Sequence, residues 1–227
     1  MSIGMDSVNL EQAVRSAEVS RSSAYAIWSS DHLSPQEEFQ RAVLTRAVAD
    51  RKETLESLND VIAKAYGELV GTGSLQQVMR ELIRIAAKHN IEATADSMSW
   101  KLVIALRAVL HSAKEDERDQ ELVDWITSST DELQAFTIET VLRPLAATLG
   151  IQPRPQYGDR AYALGEMSTA AVSEGLSMRY WLTSTPFLDG LYHPTEKDTE
   201  PNWSMYALIY EQIVHMFFEP VDGDWDE

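Results

Sequence analysis

An all-α fold is what this sequence predicts, and three observations predict it. Apolar residues recur at three- and four-residue intervals through nearly all of the 227 residues, which is the period of an amphipathic helix. The alternation of apolar and polar residues that marks a half-buried strand is missing. Capping residues stand ahead of several of the periodic segments.

The elements follow in order. Asn9 caps a short helix, with Gln12 placed to reach back in capping-box fashion, and that helix ends near Ala17. Ser20 caps a second, Arg21 to Trp28. Ser34-Pro35-Gln36-Glu37 combines a capping serine, a first-turn proline and a third-position glutamate. From there Phe39, Val43, Val48, Leu55, Leu58, Ile62, Ala65 and Leu69 form one apolar stripe that ends at Gly71-Thr72-Gly73. Ser74 opens the next helix, with Leu75, Val78, Met79, Leu82, Ile83 and Ala86 on one face. Asp96 to Ala113 is the most apolar helix and is expected to be the most buried. Asp119 to Leu149 is long and is expected to bend or break at Pro144, which has no N–H to donate. Gly150 to Gly158 reads as a loop, and Asp159 to Leu182 as a helix rich in small residues. Thr183 to Asn202, with three prolines, reads as an irregular connection. Trp203 to Phe218 is the last helix, and Asp222 to Glu227 an acidic, frayed end.

Composition narrows the function. Hydrophobic residues make up 44% and charged residues 24%, so the chain can bury a core. No apolar run approaches a membrane span (Leu102 to Leu106 is typical of the longest), and the N-terminus does not read as a signal peptide. Cysteine is absent, which excludes disulfides, thiol catalysis and thiolate metal sites and fits a reducing compartment, hence a cytoplasmic location. The net charge of −17 is unevenly spread. Residues 1–52 hold six Lys/Arg against seven Asp/Glu, and the rest hold 13 against 29. Only the N-terminal part can approach a polyanion without strong repulsion.

That part has the pattern of a helix-turn-helix: two short helices separated by Glu18-Val19-Ser20, then a long one. Leu10, Val14, Ala17, Val19 and Tyr25 are spaced to pack across a tight turn. The stretch from Gly4 to Trp28, and above all Val19-Ser20-Arg21-Ser22-Ser23-Ala24-Tyr25-Ala26-Ile27-Trp28, resembles the TetR family of transcriptional regulators. A polar turn and Glu37-Glu38-Phe39 at the start of a connecting helix continue the likeness over about 40 residues. The resemblance implies that Ser20, Arg21, Ser22, Ser23 and Tyr25 contact double-stranded DNA. Arg21 would reach a guanine edge or a phosphate, the serines a phosphate or base edge, and the Tyr25 hydroxyl a phosphate. It implies a small, largely apolar effector held among the later helices, where Met98, Trp100, Trp125, Phe136, Met178 and Trp181 are the candidates. It also implies a homodimer that pairs the helix Asp159–Leu182, with Ala161, Gly165, Ser168, Ala171, Val172 and Gly175, and the aromatic last helix, with Trp203, Tyr206, Tyr210, Ile213, Val214 and Phe217. Two departures stand out. Glu18 occupies a turn position where the family carries glycine, and the family's first helix is missing, with only Met1 to Ile3 in its place.

Plainer readings compete. Ser-Arg-Ser-Ser taken alone is a polar helix start, and the aromatics and methionines are ordinary core in any helical domain. Glu211 and His215, or His111 and Glu115, lie four apart and could bind a metal, but such isolated pairs are more often surface contacts. Phosphate-loop, nucleophile-elbow and metalloprotease motifs are absent. The expectation is therefore a DNA-binding regulator, not an enzyme, with neither cofactor nor metal, residues 1–46 forming the helix-turn-helix and 47–227 the effector and dimer domain. The alternatives are a helical ligand-binding protein that does not bind DNA and an all-α metal enzyme.

Overall fold

The computed structural model describes residues 9–29, 34–95, 97–101, 103–104, 120–183, 190–195 and 200–221. The chain is mostly helical and divides into two compact units: residues 1–51 with 98–129, and residues 52–97 with 130–227. The expected domain boundary after residue 46 falls inside the 35-residue helix that belongs to both units. Most of the apolar helix expected over 96–113, together with His111 and Glu115, lies outside the described residues. So do residues 1–8 and the acidic end.

The first unit begins with α1 (Leu10–Ser16) and α2 (Arg21–Ile27), followed by α3 (Pro35–Leu69). Both short helices start where their caps dictate. The Gln12 N–H donates to Asn9 Oδ1 at 3.1 Å, and the Ser23 N–H to Ser20 Oγ at 3.1 Å. At α3 the capping box is complete: Ser34 N–H and Oγ–H donate to Glu37 Oε2 at 2.8 and 2.7 Å, and the Glu37 N–H donates back to Ser34 Oγ at 3.3 Å.

The second unit is built on α4 (Leu75–Ala95), α7 (Arg160–Thr183) and α8 (Met205–Phe217), which pack on one another. Between α4 and α7, α5 (Gln120–Thr137) continues through a π-helical turn, Ile138–Leu142, into α6 (Arg143–Leu149). Pro144 is the reason for the interruption. It cannot donate to the Thr140 carbonyl one turn back, and the Asn59 carboxamide on α3 donates there instead. A left-handed Gly150 ends α6.

Two features depart from the expected loops. Ile151–Pro153 (β1) pairs antiparallel with Phe218–Pro220 (β2), with Gln152 opposite Glu219. Each strand has three residues and ends in proline, too short for an alternation to register. The irregular connection is also tied down, through a bridge between Leu191 and Trp203.

The last helix turns its aromatic face inward. Trp203, Tyr206, Ile213 and Phe217 are buried in the chain's own core, which corrects the expectation that these residues face a second subunit. Tyr157 and Tyr162 meet Phe217 and Phe218 edge-on, both pairs at 5.2 Å. The small residues of α7 divide between its two faces. Ala161 and Gly165 are buried, whereas Met167, Ala171, Gly175, Met178 and Leu182 form an exposed stripe at four- and three-residue spacing. Met205 and Met216 are exposed on α8. Among the described residues, no helix is long and apolar enough to cross a membrane.

Candidate nucleic-acid interface

The two short helices and the start of α3 share a small core of their own. Leu10 and Val14 of α1 and Ala24 of α2 are buried together, with Tyr25, Trp28 and Phe39 packed against them, whereas Ala17 and Val19, expected to pack across the turn, are exposed because they lie in the turn itself. Trp28 and Phe39 meet edge-on at 5.0 Å, and the Leu10 N–H donates to Gln36 Oε1 at 2.8 Å. The start of α3 thus docks the two short helices by one aromatic contact and one polar one.

The turn is made by Glu18, whose φ is +55°. The left-handed conformation that a glycine would supply is therefore kept by a residue for which it costs roughly 1–2 kcal/mol. The Ala17 N–H closes α1 on the Ala13 carbonyl at 2.9 Å, and Ser20 opens α2 two residues after Glu18.

This turn leaves Ser20, Arg21, Ser22 and Ser23 exposed while Tyr25 is half-buried. Ser20 is committed to the cap, and its hydroxyl also lies 3.1 Å from Ser22 Oγ and 2.7 Å from Ser23 Oγ. Arg21 and Tyr25 are held by a residue that composition and spacing did not single out. Glu11 Oε1 accepts from the Tyr25 hydroxyl at 2.5 Å and from Arg21 Nη2 at 2.7 Å, and the guanidinium lies 5.3 Å from the Tyr25 ring centre. The bond to Tyr25 and the charge of Glu11 raise the Arg21 pKa further. In sequence Glu11 reads as an ordinary first-turn acid. Its role depends on the register of the turn between two residues 14 apart. Arg15 and Arg21 balance Glu11 and Glu18 over residues 9–29, so this surface is close to neutral.

The candidate effector residues divide between the units. Met98, Trp100 and Trp125 belong to the first, where Trp100 is buried under the Arg51 guanidinium, 5.4 Å from its ring centre, and Met98 is 76% exposed. Phe136, Met178 and Trp181 belong to the second. There Phe136 packs beside Leu55, Leu58 and Ile62, Trp181 Nε1 donates to the Ala95 carbonyl at 2.5 Å, and Met178 lies on the exposed stripe. Each unit keeps three of the six.

Glu211 is not the surface residue its spacing from His215 suggests. It is 3% exposed and binds His193 Nε2 at 2.7 Å, with Arg80 Nε at 3.3 Å. Arg80 Nη2 also donates to His193 Nδ1 and, at 2.7 Å, to Thr195 Oγ1. Because an arginine can only donate, Nδ1 accepts and Nε2 carries the proton given to Glu211. Trp203 covers the imidazole at 4.6 Å. This network ties residues 193–195 to α4 and α8. With Arg80 on both His193 Nδ1 and Glu211, the ring is a link in the packing. Nothing in the sequence spacing joins residues 80, 193 and 211.

No protein-family model matches this chain, and no curated protein or solved structure matches it either.

Proposed function

We propose that this protein is a DNA-binding transcriptional regulator, with α2 as the segment that meets the major groove. The observation that carries the reading is the turn. Glu18 in the left-handed conformation and Ser20 at the cap leave Arg21, Ser22 and Ser23 outward over a buried Leu10–Val14–Ala24 core. A residue other than glycine held at a costly angle marks a turn whose shape matters. Arg21 and Tyr25 make the principal contacts, the serines lie close to the backbone, and Glu11 sets the direction of the first two.

The regulator works as a cytoplasmic homodimer, of the kind that reads two half-sites about one helical turn apart. The exposed stripe on α7 supports pairing: Met167, Met178 and Leu182 flank Ala171 and Gly175, which allow a close helix crossing. The second unit receives a small effector. The resemblance of residues 4–28 to the TetR family agrees with each part of this reading.

One observation favours the alternative, a helical ligand-binding protein without DNA affinity: Glu11 puts a carboxylate where a phosphate would approach Arg21. Selection of duplexes from a random pool, followed by titration at several salt concentrations, separates the two. The regulator enriches a palindromic site whose affinity falls steeply with salt. Failure to enrich any sequence, with no salt-dependent binding, selects the alternative.

A further inference from the structure

The interior shared by α4, α7 and α8 carries a line of polar groups among apolar ones. Asn90 Nδ2 donates to the Tyr206 hydroxyl at 2.6 Å. That hydroxyl lies 2.7 Å from Ser173 Oγ, and Ser173 gives its own proton to the Thr169 carbonyl at 2.9 Å. The donors therefore run one way, from Asn90 through Tyr206 and Ser173 to a main-chain carbonyl. Around them pack Ala87, Ile91, Trp203 and Ala207, with Val172 and Leu176 at the margin.

Two buried polar atoms on the helices of this interior have no hydrogen-bond partner: Asn90 Oδ1 on α4 and Ser177 Oγ on α7. Asn90 is 7% exposed and Ser177 is 0%. Ser177 sits one helical turn beyond Ser173. It lies between the two places where α7 meets the end of α4, at Asn90 through Tyr206 and at Ala95 through Trp181. Rotating the Asn90 carboxamide does not remove the problem, because it exchanges an open acceptor for an open donor. Protein interiors rarely leave such groups unmet, and where no protein partner meets them an ordered water usually does.

We infer that the α4–α7–α8 interior binds one small hydroxyl-bearing guest, held between the Asn90 carboxamide and the Ser177 hydroxyl. A hydroxyl both donates and accepts, so it satisfies either orientation of the amide. It is carried by a water molecule or by the head of a neutral alcohol or phenol whose body meets the apolar wall. Only the second form rests on the effector part of the proposed function. The measurement contains no DNA, so failure of this site and failure of operator binding are read separately.

The test is thermal unfolding of the wild type, Ser177→Ala, Asn90→Ala and the double variant. Ser177→Ala removes no hydrogen bond from the protein itself. With a guest bound, it lowers the Tm by roughly 2–4 °C. It lowers the Tm no further in the Asn90→Ala background, where the guest is already lost. A Tm that is unchanged or raised by Ser177→Ala, or a loss that is the same in both backgrounds, overturns the site. Native mass spectrometry of the purified chain then assigns the source. A mass excess present in the wild type and absent from the double variant is an organic guest, and the coupled loss of stability without such an excess is water.

Discussion

Glu11 Oε1 accepts the Tyr25 hydroxyl at 2.5 Å across the turn between α1 and α2, and the same oxygen holds Arg21 at 2.7 Å. One carboxylate on α1 thus aims two side chains of α2 while masking the charge of one of them. Glu11→Gln keeps an acceptor for Tyr25 and releases the arginine. Under the proposed function it strengthens DNA binding several-fold, with the larger gain on non-specific duplex, and Arg21→Ala reduces the salt slope by roughly one unit. Fluorescence anisotropy on labelled duplexes at four salt concentrations checks both. Identical isotherms for the wild type and the two variants count against Arg21 as a contact.

The turn gives a second prediction. Glu18 has φ +55° without being glycine. Glu18→Gly relieves the strain and stabilises the turn by about 1 kcal/mol, whereas Glu18→Val, branched at Cβ, loses at least that much. Hydrogen exchange of the α1 and α2 amides reads the difference locally. A Glu18→Gly variant with faster exchange would show that the angle is not a strain.

A third concerns the π-helical turn. Asn59 serves the Thr140 carbonyl that Pro144 leaves open. Asn59→Ala costs about 1 kcal/mol, the usual net worth of a hydrogen bond that is only partly buried. In a Pro144→Ala background the cost shrinks, because residue 144 then has an N–H to give. Urea unfolding of the four proteins of this cycle measures the coupling. Additive losses would mean that proline is not why Asn59 is needed.

The dimer prediction changes face. Phe217 is buried in the chain's own core, so Phe217→Glu unfolds the protein and reports nothing about association. Ala171→Glu with Met178→Glu alters only the exposed stripe of α7. It is expected to convert a dimer into a monomer at micromolar concentration with little change in helical content. Sedimentation velocity and circular dichroism check this, and a dimer that survives both charges does not use α7.

The α3 capping box sets a pH dependence. Hydrogen bonds from the Ser34 hydroxyl and then the Ser34 N–H lower the Glu37 pKa from 4.5. A carboxyl whose folded value is depressed contributes stability that is present above the unfolded value and is lost as pH falls through the folded one. Fraying at the start of α3 is therefore expected only below about pH 4.5. Glu37→Gln keeps the capping geometry and abolishes that pH dependence. Amide exchange near residues 35–38 between pH 3 and 6, on the order of one transition wide, distinguishes the two proteins.

The sequence by itself determined the local structure. Asn9, Ser20, Ser34 and Ser74 start helices because a side-chain oxygen within three residues can meet a free N–H. Pro144 interrupts one because it lacks a donor, and Leu10, Val14 and Tyr25 meet across a short turn as their spacing predicts, although Ala17 and Val19 of the same set stay exposed and Ala24 completes the core. The caps and the proline act within a few residues and this core across one short turn, so periodicity and residue type carry them. Tertiary structure alone decided which face met which. The aromatic side of α8 turned inward rather than toward a partner, and Glu11 rather than solvent took up Arg21 and Tyr25. Arg80, His193 and Glu211 gathered from three separate stretches, and β1 found β2 with 64 residues between them. Glu11 reaches its two partners only through the register of one turn, and the other pairings join groups far apart along the chain, where one helix has several apolar and polar faces to offer. The choice among them depends on the shape and charge of neighbours that exist only once the chain has packed.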